Sequence, residues 1–289
     1  DIINMKKILN NYSSKNDINI RQIVAYKDNT LEILNEYVKL YPEKFIIIEN
    51  NGINLGSSKS FLYLLTQCSS DLICFCDQDD FWKPDKLARG IDRLRHVSGP
   101  ALYFSNARLV GGELEDLGRD VYRCSPYYDY YTLLCQGGIL GCTMVINAAL
   151  ARLITEAPAP EKLIMHDFYV AAVCALFDGQ LFYDDVATML YRQHGNNVIG
   201  VSHGKLQTMK ARLRTITEKQ KVTVADQARS MLACYPEIPN AQKRAWLEKV
   251  AQYRDSVGKA FAVALSGKTH YCNRNKTVTL RLALLLRNR

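Results

Sequence analysis

Three carboxylates, Asp77, Asp79 and Asp80, stand close together in "ICFCDQDDFWKPDKL", Ile73 to Leu87. They follow directly on the apolar run Leu72–Cys76. Carboxylates this near one another repel, and a bound cation relieves the repulsion. Hard divalent ions take oxygen donors, and Mg²⁺ is commonly held by one or two carboxylates together with substrate phosphates. A solvated turn that ends a strand would use the same residues; the cation site is modestly the stronger reading. In "MHDFYVAAVCALF", His166 and Asp167 open an apolar stretch. Asp167 is either a helix N-cap or a general base that takes a proton from a hydroxyl, with His166 beside it. "YRQHGNNVIG", Tyr191 to Gly200, is either a hydrogen-bonded polar loop or a diphosphate contact through Arg192 and His194. His194 is also a candidate metal ligand. "NGINLGSSK" and "QGGILGCTM" are glycine-bearing loops. Gly56 ahead of Ser57 and Ser58 would let backbone N–H groups approach a phosphate at a helix start; an ordinary turn into a helix is the simpler account.

These groups need elements that hold them. The spacing predicts strands at Phe45–Glu49, Leu72–Cys76, Ala101–Val110, Cys142–Asn147 and Ala187–Arg192. A helix is expected over Thr30–Tyr41, with Leu31, Leu34, Val38 and Tyr41 on one face. Ser57 or Ser58 would cap a second helix that runs through Gln67. Pro84 suits the first turn of a third, with Leu87, Ile91 and Leu94 as its apolar stripe. His166–Phe177 reads as a fourth. Strands alternating with helices predict an α/β sheet covered on both faces. In such sheets ligands bind beyond the carboxyl ends of strands, which is where Asp77 falls. Beyond Ser202 the chain turns helical and basic, with no convincing strand. The C-terminal "KTVTLRLALLLRNR" suits a helix lying in a membrane interface, or equally a terminal helix packed on the domain.

The 289 residues, 48% hydrophobic, suffice for a sizeable core. No apolar run approaches the ~18 residues of a membrane span, and the N-terminus does not read as a secretory signal. The nine cysteines include no C-x-x-C and no zinc-ligand spacing, so buried, reduced thiols in a cytosolic protein are expected. From Val201 to Arg289, Lys and Arg outnumber Asp and Glu by 18 to 5, a net of +13; residues 1–200 then carry −5 of the total +8. A basic tail implies an anionic partner. Nucleic acid is disfavoured, because no reader motif or interleaved aromatics accompany the basic residues.

Taken in order, "NLGSSKSF", "FCDQDDFWKPDKL", "GCTMVIN", "HDFYVAAV" and "YDDVATMLYRQHGNNVIG" resemble family 2 glycosyltransferases. The likeness is to the bacterial rhamnosyltransferase-like branch that builds surface polysaccharides of the cell envelope, and it runs from about Asp28 to about Gly200. The resemblance implies the GT-A, Rossmann-like fold, a mostly parallel sheet with flanking helices. It divides the chain into a catalytic domain, 1–202, and a basic helical region, 203–289. It implies inverting transfer of a sugar, rhamnose among the candidates, from a dTDP- or UDP-sugar to a hydroxyl of a lipid-linked glycan. By position, Asp77, Asp79 and Asp80, with His194, would hold Mg²⁺ or Mn²⁺. Asn54, Gly56, Lys59, Arg192 and His194 would contact the donor. Asp167 would be the base, beside His166. The implied location is cytoplasmic, peripheral at the inner face of the plasma membrane.

The front of the chain departs from the family pattern. "INIRQIVAYKDNT" stands where a second strand ending in D-D-G-S is normal, and no first strand ending in a T-Y-N-like motif is recognisable. A sheet missing that strand exposes an edge, so lower stability than that of an intact relative is expected. The alternative that follows is a non-catalytic glycosyltransferase-like scaffold that has lost nucleotide binding.

Overall fold

A computed structural model describes residues 22–24, 35–36, 38–42, 44–48, 55–77, 79–193, 213–218, 220–271 and 273–289. In chain order the elements are β1 (Gln22–Val24), β2 (Phe45–Ile47), α1 (Gly56–Thr66), β3 (Leu72–Cys74) and β4 (Phe81–Trp82). Next come α2 (Lys86–Leu94), β5 (Ala101–Val110), β6 (Asp116–Asp120), α3 (Tyr130–Gln136) and a 3₁₀ turn (Gly141–Thr143). Then follow β7 (Val145–Asn147), α4 (Ala148–Thr155), α5 (His166–Leu176) and β8 (Gln180–Arg192). The chain ends in α6 (Val224–Cys234), α7 (Ala241–Ala251), α8 (Val257–Ala264) and α9 (Arg274–Leu285).

The class is α/β, as expected. Six strands form one sheet in the order β3-β7-β5-β8-β4, with β6 paired to β5. β1 and β2 pair in parallel as a separate ribbon. The large sheet is mixed rather than mostly parallel. β5 and β8 run parallel, while β3–β7, β5–β7, β5–β6 and β4–β8 are antiparallel. The cause is β7, which lies between β3 and β5 and runs against both; an apolar run in a sequence carries no direction.

Several local expectations shift for identifiable reasons. Ser57 and Ser58 lie inside α1; Leu55 is its N-cap, without a side-chain cap, and Gly56 makes the turn at φ 71°. Pro84 precedes the N-cap Asp85 instead of sitting in the first turn of α2. The strand before the acidic run stops at Cys74. Residues 35–36 and 38–40 are helical, and the rest of the stretch 30–34 lies outside the described residues. Cys68, Cys74, Cys76, Cys135, Cys142, Cys174 and Cys234 are free thiols. Cys124 is disulfide-bonded, against the expectation that all would be reduced.

The basic helices are anchored on the sheet-bearing part. One apolar cluster runs from Leu62 and Phe75 through Phe104, Tyr169 and Val173 to Trp246, Tyr253 and Leu284. Lys243 on α7 reaches the end of α5, where its Nζ donates to the Ala175 carbonyl and to Asp178 Oδ1 at 2.6 Å. A cation here answers the free carbonyls and the negative dipole end of α5. α9 buries Leu280, Ala283 and Leu284 but leaves Val278, Leu282 and Leu286 exposed, so the packed face and the free apolar face coexist on one helix.

Candidate active site

The antiparallel pairing of β3 and β7 builds the site. Cys74 pairs with Val145, so the chain leaving β3 toward Asp77 meets the chain entering β7 from the turn Gly141–Thr143. At the other side, β4 pairs with the end of β8, Phe81 with Leu190. That brings Asp80 beside Arg192, whose backbone N–H donates to Asp80 Oδ1 at 3.2 Å. The first turn of α5 completes the group. The Gly141 N–H donates to Asp167 Oδ2 at 3.0 Å, and the Phe168 N–H donates to Asp167 Oδ1 at 2.7 Å.

Gly141 is there because of its neighbours. A Cβ at this position would stand 2.6 Å from His166 Nε2 and 3.2 Å from Asp167 Cβ. The His166 ring cannot easily yield: it stacks on Phe61 with centroids 4.1 Å apart and meets Phe75 edge-on at 5.2 Å. Neither ring nitrogen of His166 has a hydrogen-bond partner among the described residues. Burial pushes this imidazole down to about 4, so it is neutral at physiological pH.

The carboxylates shift the other way. Burial, with Asp79 and Asp167 adding repulsion, raises Asp77 to about 6. Burial is again the main cause for Asp80, raised to about 7; Asp77 and Asp79 add to it, while Cys142 and the Arg192 N–H oppose it. Asp167 is raised to about 6 by burial, against its two backbone N–H donors. Such a carboxylate is suited to accept a proton near neutral pH. That Asp77 acts on Asp167 electrostatically places the two in one field.

Asp77, Asp80 and Cys142 each offer one ligand atom, and these lie within 4.8 Å of one another. Asp80 is 6% exposed; the Cys142 thiol hydrogen-bonds to its side chain, but its Oδ2 meets no nitrogen or oxygen donor among the described residues. A buried carboxylate oxygen without a donor is costly, and a divalent cation is the partner that suits it, so these residues fit a metal. Asp79 is half-buried and acts on both neighbours, but its carboxylate is not part of that three-residue group. The Arg192 guanidinium donates to the Gly112 carbonyl at 2.9 Å. Gly56 and Lys59 are exposed on α1, five and two residues before Phe61. Asn54 and His194 lie outside the described residues.

Three residues of the site were not anticipated: Cys142, Gly141 and Lys86. Lys86 is fully buried, its Nζ has no hydrogen-bond partner among the described residues, and it lies 4.8 Å from the centre of the Trp82 ring. It acts electrostatically on Cys74, Cys142, Cys76 and Asp80. Its one visible signal was a lysine at the start of an amphipathic helix, which reads as a surface residue.

Residues 25–118, which hold β3, the aspartates and β5, match the profile of glycosyl transferase family 2. Over those residues, about a third of the chain, it is similar to family 2 glycosyltransferases. The dTDP-rhamnosyl transferase RfbG of Shigella flexneri is 29% identical to it over 190 residues, 61% of this chain and 62% of that relative. The chain thus spans under two thirds of the length of RfbG. Residues 1–349 of S. aureus TarS in complex with UDP-GlcNAc align at a TM-score of 0.47 and 15% identity, over 91% of this chain and 72% of that one. The mannosyltransferase PcManGT from Pyrobaculum calidifontis, in complex with GDP-Man and Mn²⁺, aligns at 0.47 and 11% identity, over 99% and 83%. Likenesses this loose carry no argument about substrate.

Proposed function

We propose that this chain is an inverting glycosyltransferase that moves a sugar from a dTDP- or UDP-sugar to a hydroxyl of a lipid-linked surface polysaccharide. The observation that carries the reading is Asp167: a buried carboxylate, both oxygens fixed by backbone N–H groups, in the same field as the acidic group at the end of β3. Asp167 takes the proton of the acceptor hydroxyl. Asp77, Asp79 and Asp80, with His194, hold Mg²⁺ or Mn²⁺. Bound there, the cation supplies Lewis-acid stabilisation of the leaving diphosphate. Gly56, Lys59 and Arg192 contact the donor, with Asn54 and His194, outside the described residues, as further donor contacts. His166 stays neutral, and its stacked ring fixes the first turn of α5 against Gly141. One displacement inverts the anomeric centre, and no nucleophilic side chain is needed. The name of the relative RfbG favours dTDP-rhamnose as the first donor to try.

The same proposal assigns residues 1–202 the chemistry and 203–289 an anionic membrane surface, at the inner face of the plasma membrane. Among the described residues, no helix is long and apolar enough to cross a membrane. Six exposed apolar residues lie in or directly after α8 and α9: Val257, Phe261 and Leu265, then Val278, Leu282 and Leu286. Each trio recurs every fourth residue, so each makes a stripe along its helix. Residues 256–289 carry seven Lys or Arg and no Asp or Glu. Apolar stripes amid net positive charge suit an interface of anionic lipid.

The test is a screen of dTDP-rhamnose and UDP-sugars with Mg²⁺ or Mn²⁺ and a lipid-linked acceptor, read as product formation and nucleotide release. Metal-dependent transfer that is lost in Asp167→Asn supports the reading. Calorimetry showing no binding of any sugar nucleotide in the presence of metal favours the non-catalytic scaffold instead.

A further inference from the structure

The donor set at the end of β3 includes a sulfur. Cys142 sits in the 3₁₀ turn that leads into β7, and the β3–β7 register holds that turn against the chain carrying Asp77. Its Sγ and one oxygen each of Asp77 and Asp80 lie within 4.8 Å of one another. Around a divalent ion, a thiolate at ~2.3 Å and a carboxylate oxygen at ~2.1 Å stand at most ~4.4 Å apart when opposite. Three donors cannot all be opposite, and neighbouring ones stand ~3–3.6 Å apart at those bond lengths, so donors within 4.8 Å close on an ion with side-chain movements of up to about 1 Å. Cys142 is 3% exposed and Asp80 6%, so both are withdrawn from bulk water. The second observation is Asp80 itself: its Oδ2 meets no nitrogen or oxygen donor among the described residues, and the side chain that does hydrogen-bond to Asp80 is the Cys142 thiol, whose proton a cation would replace. Buried donors of this kind stay unsatisfied only at a cost, and metal coordination removes it.

We propose that Cys142 is a thiolate ligand of the divalent cation, together with Asp77 and Asp80. The inference rests on the reading of those aspartates as a cation site. Binding breaks the Sγ–H bond, the proton leaves to solvent, and the lone pair it leaves behind forms the bond from sulfur to metal. A coordinating thiol is deprotonated outright. One soft donor among hard oxygens shifts preference from Mg²⁺ toward Mn²⁺, Co²⁺, Zn²⁺ and Cd²⁺. Lys86 is the competing positive charge in this pocket. Were its ammonium alone to balance the carboxylates, no ion would bind.

The experiment uses the full chain stripped of metal with a chelator and titrated with Co²⁺ and, separately, Cd²⁺. The expected result is a sulfur-to-metal charge-transfer band that saturates at one equivalent. It should vanish in Cys142→Ser and persist in Cys76→Ser, the nearest alternative source of sulfur. Cys142→Ser should weaken Cd²⁺ binding by at least about tenfold and Mg²⁺ binding by less than about threefold. Circular dichroism checks that the variant is folded, and if it is not, Cys142→Ala takes its place; a wild-type titration without a sulfur band overturns the role of Cys142 in either case. Co²⁺ bound with d–d bands but no sulfur band would overturn the role of Cys142 while leaving the carboxylate site standing. No binding of Co²⁺, Cd²⁺ or Mn²⁺ would overturn the cation site and Cys142 together.

Discussion

Gly141→Ala tests the architecture of the site without touching a charged group. The new Cβ would stand 2.6 Å from His166 Nε2, a distance that requires something to move. The ring is held by Phe61 at 4.1 Å and Phe75 at 5.2 Å, so the turn or the first turn of α5 must move instead. Overpacking of this kind costs ~1–3 kcal/mol. At ~2–4 °C per kcal/mol for a chain of this size, Tm should fall by roughly 2–12 °C. The shift also pulls the Gly141 N–H away from Asp167, and a displacement near 1 Å at a catalytic group costs on the order of 10²-fold in rate. The cause is separable by a double-mutant cycle with His166→Ala, which empties the space the methyl needs. In that background the penalty of Gly141→Ala should shrink by more than half, since residues in contact couple by ~0.5–3 kcal/mol. Differential scanning fluorimetry reads the stability, and donor turnover reads the rate. Equal penalties in both backgrounds, or a Gly141→Ala protein that melts and turns over like wild type, would refute the account of close approach.

Further outcomes follow from the same geometry. Asp167→Asn should lower kcat by ~10²–10⁴-fold, the range of general-base catalysis; turnover above half of wild type would remove Asp167 from the chemistry. Metal-free protein should gain stability as pH falls from 8 to 6.5. Asp77, Asp80 and Asp167 have folded values raised to about 6, 7 and 6, so the native state holds the extra protons there. Their contribution is full below about 4 and is lost as pH rises through those values, at about 1.4 kcal/mol per unit. His166, lowered to about 4, works oppositely below 6.5 and there offsets about one of the three carboxylate protons, so the gain continues at lower pH; a metal-free Tm that drops between pH 8 and 6.5 would contradict the assignment. Phe261→Asp with Leu282→Asp should reduce co-sedimentation with anionic vesicles at least about fivefold while moving Tm by less than about 2 °C. Unchanged sedimentation would detach the stripes from membrane binding.

What could be read from the sequence divides along a physical line. β5 was legible at both ends, Ala101 and Val110, because a long apolar β-rich run bounded by Pro100 and Gly111 leaves few alternatives. α5 was legible to within a residue, because it is apolar throughout and buried on every side. β6 was not, because "DLGRD" has no strand character of its own. It is held from outside, by Arg108 of β5 donating to Asp116 at 2.7 Å and to Asp120 at 3.1 Å. The site divides in the same way. Asp77, Asp79, Asp80 and Asp167 declare themselves by charge next to apolar runs, a local property. Cys142 and Gly141 do not: the one reads as a core thiol, the other as a loop glycine. Their meaning depends on β7 running against β3, and on His166 being pressed toward that turn by two aromatic rings. Lys86 is harder still, since a helix-start lysine normally faces water, and here the pairing of β4 with β8 buries Trp82 beside it. The charge that opposes the carboxylates is thus built from residues that local patterning assigns to the surface and the core. The balance in that pocket between a bound cation and the amine of Lys86 therefore turns on strand pairing, more than on the acidic run itself.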